Sequence, residues 1–349
     1  MKVSVIIPTR NRLPFLREAV ASVQLQGYPN WEAIIVDDAS TDSTWEWLAS
    51  LRDPRIQAFR MEERRERSAA RNRGLRAAQG ERVLFLDDDD RLEAQALLHL
   101  STALDQHPDA IAAVGGRLYF DDRGTRHKFR MSRWRVKRVF WPDVLLGFVP
   151  GQGEALIQKA TIVSVGSWNE SLSVGEDHDL WLRLARVGPV VITPEIVLHL
   201  RMHAGQTQFT GVRHVEQQFR AEFVGRLPPG DRMLGERLHQ AQRAATGGSI
   251  AFSRGRCRRA CGFFVDSILK APRLLTSPVS GPALLSLMAR SALGMVCGRR
   301  GMAFFRKIKV RLRSNSYFGN YPYHASEPSD TRRAGQREGE GLPMAPRPR

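Results

Sequence analysis

Short apolar runs alternate with segments of helical spacing along the first third of the chain. The predicted strands are Val3–Ile7, Ala33–Val36, Ile56–Phe59, Val83–Leu86 and Ile111–Val114. The predicted helices are Pro14–Gln26, Ser43–Leu51 with Asp42 as its N-cap, Ser68–Ala78 with Ser68 as its N-cap, and Glu93–Leu104. Buried strands that alternate with helices predict a parallel sheet covered on both faces.

The second half of the chain has a less regular pattern. After a basic stretch from Arg126 to Arg138, the predicted elements are a strand at Glu154–Ile157, a helix after Gly175 and a strand at Val190–Ile192. Beyond about Phe209 the predicted elements are basic amphipathic helices at Arg237–Ala245, Ile250–Leu269 and Ala283–Val296. The tail from Ser326 is rich in Pro, Gly and Arg and is predicted to be disordered.

Positive charge is concentrated at the C-terminal end. The 349 residues include 53 Lys and Arg against 36 Asp and Glu, a net charge of +17. Residues 221–349 hold 23 of these basic and 8 of these acidic residues, so residues 1–220 are nearly neutral. Such a basic segment suits an anionic partner, either a phospholipid surface or a nucleic acid.

No segment predicts a membrane span, a secretory leader or a disulfide framework. The most apolar stretch, Ala283–Cys297, is shorter than the ~18 residues of a span and contains Arg290. Val3–Ile7 is too short for the core of a signal peptide. The three cysteines all lie in the C-terminal third, and the expected location is the reducing cytoplasm.

Polar residues cluster where the predicted strands end. Pro8-Thr9-Arg10-Asn11 follows the first strand, Asp37-Asp38 the second, and Asp87-Asp88-Asp89-Asp90 the fourth. The carboxyl ends of parallel strands form the edge at which ligands bind. Six carboxylates at this edge repel one another, so the sequence predicts a divalent cation, Mg²⁺ or Mn²⁺, together with a bound polyphosphate. A solvated acidic turn is the alternative for the four-residue run, but that run directly follows a buried strand.

Four segments resemble, in order and spacing, the motifs of the family 2 inverting glycosyltransferases. They are Val3 to Arg12, Ile34 to Asp42, Ala69 to Gly74 and Gly80 to Asp90. The resemblance covers about residues 1–210 and implies a GT-A fold, a single α/β domain that binds a nucleotide sugar and a divalent metal. The expected organisation is this domain at 1–210 with a mostly parallel sheet, a basic helical extension at 211–325 and a disordered tail at 326–349.

The resemblance also implies roles for individual residues. Pro8, Thr9 and Asn11 are expected to line the nucleotide pocket, Asp38 to contact the base, and Arg71 to lie against the nucleotide. Asp87 to Asp89 cover the Asp-x-Asp metal motif of the family. Asp89 is the expected direct ligand, and Asp87 and Asp88 are expected to meet ribose, metal or water.

Gly175 to Leu184 resembles the Glu-Asp acceptor-site motif of the same family. Helical spacing places Asp177 on the apolar face with Leu180, Trp181 and Leu184, where burial would raise its pKa and make it a better base. Inverting transfer needs a carboxylate that takes the proton of the acceptor hydroxyl. Asp177 is therefore the predicted catalytic base, and Glu176 is predicted to orient the acceptor. The alternative is that both acids only favour a helix N-terminus.

Arg201-Met202-His203 resembles the Arg-x-His element of the family, which implies His203 as a further metal ligand. A purely structural histidine is the alternative. Trp168-Asn169-Glu170 departs from the family's frequent Phe-Asp-Glu, and the basic stretch Arg126–Arg138 is expected to form an acceptor-side loop. The resemblance indicates no particular sugar.

Other classes of protein fit the sequence less well. No Gly-x-Gly-x-x-Gly follows the first strand and no Gly-x-x-x-x-Gly-Lys loop is present, which disfavours dinucleotide-dependent oxidoreductases and nucleoside triphosphatases. An aspartate-nucleophile phosphatase is disfavoured by Asp90-Arg91 after the acidic motif. A basic nucleic-acid-binding protein and an inactive glycosyltransferase-like scaffold are the two alternatives.

The function predicted from the sequence is a metal-dependent, inverting hexosyltransferase. It moves a sugar from a nucleotide-diphosphate donor to a glycan or lipid-linked acceptor in cell-envelope polysaccharide synthesis. The expected location is the cytoplasm, with peripheral attachment to an anionic membrane face through the basic helices. No nucleic-acid partner is expected.

Overall fold

A computed structural model describes residues 1–121, 124, 126–129, 137–146, 148–203 and 212–272, with five further positions between 285 and 292. Within these residues the strands are β1 Val3–Thr9, β2 Trp31–Asp37, β3 Ile56–Arg60, β4 Arg82–Phe85, β5 Arg91–Leu92, β6 Ala112–Phe120, β7 Arg126–Phe129, β8 Lys137–Val139, β9 Ala155–Gln158 and β10 Val190–Arg201. The helices are α1 Leu13–Gln24, α2 Thr44–Ser50, α3 Glu66–Ala77, α4 Ala96–Gln106, α5 Trp141–Leu145, α6 Lys159–Ser164, α7 Glu176–Val187, α8 Val212–Gly225, α9 Pro229–Ser253 and α10 Cys257–Lys270.

All ten strands belong to one sheet, whose main path is β3-β2-β1-β4-β9-β6-β10-β5. Strands β3, β2, β1 and β4 are parallel neighbours, as their alternation with helices predicts. Beyond β4 the sheet is mixed, because β9 runs antiparallel to both β4 and β6, while β6 and β10 are parallel. Strand β7 pairs with β6, and β8 with β10, within the basic stretch that was predicted as a loop.

The central strands are buried on both faces, which explains their continuous apolar sequence. All seven residues of β1 are buried. Because side chains alternate across a strand, Ile6 lies in one hydrophobic core and Val5 and Ile7 lie in the other, on the opposite face of the sheet. Helices α1 and α4 cover the second core, and α3, α7 and the C-terminal helices cover the first.

Two predicted helix starts are wrong. Helix α3 begins at Glu66 and has no side-chain cap, so Ser68 lies inside it and is buried. Its first turn is satisfied from elsewhere, because the Asp38 carboxylate accepts hydrogen bonds from the backbone N–H groups of Arg65 and Glu66. Helix α2 has Ser43 at its N-cap position, and Asp42 instead accepts a hydrogen bond from the Thr44 N–H.

Helices α8 to α10 pack against the core beneath the sheet. Their buried side chains include Val224, Leu238, Ala241 and Phe264, and these belong to the same hydrophobic cluster as Ile6 of β1. The two helices predicted at 237–245 and 250–269 become the longer α9 and α10. Most of the helix predicted at 283–296 and all of the tail after 326 lie outside the described residues, and the boundary near 210 stays a prediction.

Among the residues that the structure describes, no helix combines the length and the apolar composition that a membrane crossing requires.

Two helix glycines of the C-terminal region should respond oppositely to substitution by alanine. A Cβ at Gly248 of α9 would lie 2.4 Å from the ring of the fully buried Phe264, whereas a Cβ at Gly262 of α10 meets nothing within 4 Å. Gly248→Ala should lower the free energy of unfolding by about 1–2 kcal/mol, because overpacking outweighs the gain in helix propensity. Gly262→Ala should raise it by about 0.5–1 kcal/mol. Urea unfolding measures both; equal effects of the two changes would contradict the packing of α9 on α10.

Candidate active site

The acidic run follows β4 and meets the end of β1 because the two strands are parallel neighbours. The Thr9 hydroxyl at the end of β1 donates a hydrogen bond of 2.7 Å to Asp88 Oδ2. The Asp90 N–H donates to the Asp87 carbonyl at 3.1 Å, which folds the run into a tight turn. Carboxylate oxygens of Asp87, Asp89 and Asp90 consequently lie within 4.8 Å of one another.

Within this cluster of carboxylates, Asp87 to Asp90, burial and repulsion disfavour the ionisation of Asp88 and Asp90. Burial raises the pKa of Asp88 to about 6; Arg12 and Thr9 oppose the increase, whereas the neighbouring Asp89 and Asp87 add to it. The pKa of Asp90 is raised well above its ordinary value, first by burial and then by Asp89 and Asp87. The cluster is therefore short of positive charge at neutral pH.

Two side chains contact the cluster at Asp89. Arg12 Nη1 lies 2.6 Å from Asp89 Oδ2 and 3.2 Å from Asp88 Oδ1. His203 Nε2 lies 3.0 Å from the same Asp89 Oδ2, and its ring packs on Phe15 with centroids 5.2 Å apart. Burial opposes the charge of Arg12, but Asp88 and Asp89 hold its pKa above the ordinary value.

The residues of the cluster fit a divalent metal. Carboxylate oxygens with one imidazole are the ligands that suit Mg²⁺ or Mn²⁺, and their oxygens are already close enough to share one ion. Asp89 lies at the centre, since both Arg12 and His203 contact its Oδ2. The predicted metal residues Asp89 and His203 are thus brought together, and Asp87 lies beside them.

Arg71 connects the carboxylate cluster to the start of α7. Its side chain is 1% exposed and pairs with Asp87 Oδ1 at 2.8 Å and with Glu176 Oε1 at 3.2 Å. The guanidinium also lies over the ring of Trp168, 4.6 Å from its centroid. Burial opposes the charge of Arg71, but Asp87 and Glu176 together hold its pKa above the ordinary value. A buried cation thus ties the predicted donor side to the predicted acceptor side.

Helix α7 begins with acidic residues after a left-handed Gly175, whose φ is +77°. Glu176 and Asp177 lie in the first turn, where the helix dipole favours negative charge. Glu176 is buried, contacts Arg71 and lies 3.7 Å from Arg67. The Asp177 side chain is 36% exposed, and its Oδ1 accepts a 2.8 Å hydrogen bond from the backbone N–H of His178.

The predicted rise in the pKa of Asp177 is wrong. Burial does act to raise this pKa, but hydrogen bonding from His178, followed by the charge of Arg71, holds it below the ordinary value. Leu180, Trp181 and Leu184 are buried as predicted, but His178 and Arg71 outweigh the effect of this burial on the pKa of Asp177. Asp177 is therefore ionised at neutral pH, which is the state that accepts a proton.

The other residues that are predicted to bind the nucleotide shape the loops around the carboxylate cluster. Pro8 is buried in β1 beside Val36. Asn11 has a positive φ of 53°, and its Oδ1 accepts a 2.7 Å hydrogen bond from the Thr41 N–H, which joins the loops after β1 and β2. Both carboxylate oxygens of Asp38 accept hydrogen bonds from backbone N–H groups at the start of α3. Contact of Pro8, Thr9, Asn11, Asp38 and Arg71 with a nucleotide stays a prediction.

Four residues at the site had no role in the sequence-based prediction. They are Arg12, Asp90, His178 and Arg220. The first three belong to segments already recognised as motifs, so their position was signalled although their contacts were not. Arg220 lies on α8, where no motif points to it, and its Nη2 lies 2.9 Å from His178 Nε2.

Comparison with known proteins matches the N-terminal part of the chain to a known sequence family. The family described as "Glycosyl transferase family 2" matches residues 4–161. The putative teichuronic acid biosynthesis glycosyltransferase TuaG of Bacillus subtilis is 37% identical over 188 residues, which cover 53% of this chain and 73% of TuaG. An uncharacterised glycosyltransferase of Rickettsia typhi, RT0329, is 30% identical over 228 residues, 62% of this chain and 68% of the relative.

Two further proteins are informative. The GalNAc(5)-diNAcBac-PP-undecaprenol beta-1,3-glucosyltransferase of Campylobacter jejuni is 31% identical over 188 residues, 52% of this chain and 59% of the relative. Among solved structures, S. aureus TarS 1–349 in complex with UDP-GlcNAc superimposes with a TM-score of 0.59 at 18% identity. The superposition covers 88% of this chain and 92% of that one, and at this identity it shows the shared fold.

Asp88→Asn should stabilise the metal-free protein at neutral pH. The folded-state pKa of Asp88, about 6, lies above its ordinary value of 3.8, so its ionisation destabilises the fold as pH rises through this interval. The variant should gain on the order of 2 kcal/mol at pH 7.5 and close to nothing at pH 4. Urea unfolding at both pH values measures the difference.

Asp87→Asn is the matched control for this change. It removes a partner of the buried Arg71 and should destabilise the protein at pH 7.5. A pH-independent difference between Asp88→Asn and the parent protein would contradict the electrostatic description of the cluster.

Proposed function

The chain belongs to the family 2 glycosyltransferases, and from this we propose that it transfers a sugar, with inversion, from a nucleoside diphosphate sugar to a hydroxyl group of a glycan or lipid-linked acceptor. The observation that supports this most strongly is the Arg71 bridge. It joins an acidic cluster suited to a metal and diphosphate to Glu176 at the start of α7, directly before the ionised Asp177. A donor and an acceptor can therefore be held on the two sides of one buried cation.

The donor side is assigned to the acidic cluster. Asp89, His203 and Asp87 would hold the divalent cation, Mg²⁺ or Mn²⁺, and Asp88 would lie next to it with its carboxylate oriented by Thr9. A bound cation of this kind neutralises the charge that develops on a departing diphosphate. Arg12, which contacts both Asp88 and Asp89, is placed to contribute a second positive charge to the same phosphate groups.

The acceptor side is assigned to the first turn of α7. Asp177 is ionised and about one-third exposed, so it can accept the proton of an acceptor hydroxyl as the new glycosidic bond forms. Glu176 is buried against Arg71 and keeps that cation in place, while its position next to Asp177 suits the orientation of the acceptor. Direct attack by the acceptor hydroxyl inverts the configuration at the sugar carbon.

The names of the relatives suggest the substrate class. TuaG is named for teichuronic acid biosynthesis, the Campylobacter enzyme acts on an undecaprenol-linked glycan, and TarS was crystallised with UDP-GlcNAc. By analogy we assign this chain a uridine diphosphate sugar as donor and a lipid-linked or wall-associated glycan as acceptor, in cell-envelope polysaccharide synthesis. The sugar itself is not indicated by these names.

A screen of nucleotide sugars tests the proposed function. Release of nucleoside diphosphate should depend on Mn²⁺ or Mg²⁺ and should be fastest with one UDP-sugar when undecaprenyl-linked glycans are supplied. Loss of activity with a chelator and its recovery on addition of the metal are the controls. Binding of UDP without turnover of any donor would instead favour the inactive glycosyltransferase-like scaffold.

Asp177→Asn should leave donor binding unchanged and lower turnover by roughly two to four orders of magnitude, the range for a general base. Asn keeps the size of the side chain and its ability to cap the helix, so a capping role would survive the change. UDP affinity and rate of transfer are measured on the same preparation. Near-normal transfer by the variant would assign Asp177 a structural role.

We also propose that α10 attaches the enzyme to an anionic membrane face. Its exposed stripe contains Arg258, Gly262, Val265 and Leu269, and the two apolar side chains are 48% and 72% exposed. An exposed apolar stripe that ends in basic residues suits an interfacial helix. Arg259, exposed beside Arg258, adds to the positive charge at the same end.

Charge reversal tests this attachment. Arg258→Glu with Arg259→Glu should weaken co-sedimentation with phosphatidylglycerol vesicles at low salt by at least about 30-fold, since each basic residue contributes ~1 kcal/mol. Arg226→Glu, at another highly exposed arginine, is the matched control and should have a much smaller effect. Full-length protein that does not sediment with such vesicles would refute membrane attachment.

A further inference from the structure

Arg220 is a buried arginine that the C-terminal helices contribute to the acceptor side of the cleft. It lies on α8, its residue is 2% exposed, and its Nη2 is 2.9 Å from Nε2 of His178 on α7. Helix α8 lies beyond residues 4–161, the part of the chain that matches the family. Helix α7 lies beyond that range as well, and the contact connects α8 to the residue next to Asp177.

The chemistry of this contact determines which nitrogen of His178 carries the proton. A guanidinium only donates hydrogen bonds, so Nε2 of His178 has to accept, and the proton of the neutral ring is on Nδ1. Nδ1 lies 3.7 Å from Oδ1 of Asp177. The backbone N–H of His178 donates to the same oxygen at 2.8 Å. The backbone N–H is therefore hydrogen-bonded to Oδ1, and Nδ1 lies near the same oxygen but beyond hydrogen-bond distance.

We propose that Arg220 is a positioning residue for Asp177: it fixes the Nδ1–H tautomer of His178, which directs this N–H toward Oδ1 of Asp177 and leaves Oδ2 to receive the proton of the acceptor hydroxyl. This inference rests on the proposed role of Asp177 as the base. In the transfer step the acceptor O–H bond breaks, its proton passes to Oδ2, and the oxygen forms the new bond to the sugar carbon as the diphosphate leaves with the bonding electrons. His178 and Arg220 keep their protons throughout.

The charges around His178 and Asp177 are consistent with this arrangement. Arg71 approaches from α3, Glu176 and Asp179 lie on α7 itself, and His239 and Arg243 lie on α9. The pKa of His239 is lowered by burial and then by the charges of Arg220 and Arg243.

The tautomer of His178 can be measured without any substrate. In protein labelled with ¹⁵N-histidine, the His178 signals are assigned by their loss in His178→Gln. The parent protein should show the Nδ1–H form. Arg220→Lys should retain that form because Lys keeps the charge and a donor, whereas Arg220→Met should convert the ring largely to the Nε2–H form, the more stable one in water. An unchanged tautomer in Arg220→Met would overturn the proposal.

Arg82→Met is the matched control for the loss of a buried arginine. Arg82 is also 2% exposed and pairs with Asp105 near the opposite end of β4. Arg82→Met should lower the stability of the protein and leave the His178 tautomer and the pH profile of sugar transfer unchanged. If Arg220→Met does not fold, Arg220→Gln replaces it, because Gln keeps a hydrogen-bond donor without the charge. We expect a mixture of both His178 tautomers in Arg220→Gln. A pure Nδ1–H form in this variant would overturn the proposal.

Kinetics then separate positioning from stability. Arg220→Met should lower kcat by about 10- to 100-fold, part of the effect of a general base, with UDP affinity unchanged. In an Asp177→Asn background the same change should cause no further loss. A changed tautomer with unchanged kcat, or additive losses in the double variant, would overturn the proposal. Absence of transfer by the parent protein would contradict the proposed function instead, because the NMR measurement does not depend on turnover.

Discussion

Repulsion among buried carboxylates is the constraint on which the rest of the site depends. Parallel pairing of β1 with β4 brings Asp87 to Asp90 to the edge of the sheet, where burial opposes the ionisation of Asp88 and Asp90. Surrounding side chains contact these carboxylates. Arg12 and His203 converge on Asp89 from one side, and Arg71 reaches Asp87 from the other. A site that needs cations this strongly is suited to bind a metal and, through it, a diphosphate.

The same constraint connects the two sides of the cleft. Arg71 is buried, so it requires a carboxylate on each side, and Asp87 and Glu176 supply them. Glu176 fixes the first turn of α7, where Asp177 follows directly. Helix α8 then supports that turn from outside through Arg220 and His178. The C-terminal helices share the core beneath the sheet, and through Arg220 they contact the first turn of α7.

The sequence predicted those features that depend on local pattern. Continuous apolar runs identified the four parallel strands, and the motifs after them identified the carboxylates, the Glu176–Asp177 pair and His203. The sequence could not predict contacts between residues that are distant along the chain. The lowered pKa of Asp177 depends first on the neighbouring His178 and then on Arg71, more than one hundred residues earlier. The start of α3 at Glu66 depends on Asp38, which satisfies its N–H groups and made a cap at Ser68 unnecessary.

The central claim is that the cluster after β4 binds a metal together with a diphosphate, and calorimetric titration of UDP with and without Mn²⁺ tests it most directly. Mn²⁺ should raise the affinity for UDP at least about tenfold, which corresponds to 1.4 kcal/mol. Asp89→Ala should abolish that increase while the protein stays folded, whereas Asp53→Ala, at a carboxylate paired with Arg55 on the surface, should retain it. An affinity that does not depend on Mn²⁺, or an increase that persists in Asp89→Ala, would contradict the account.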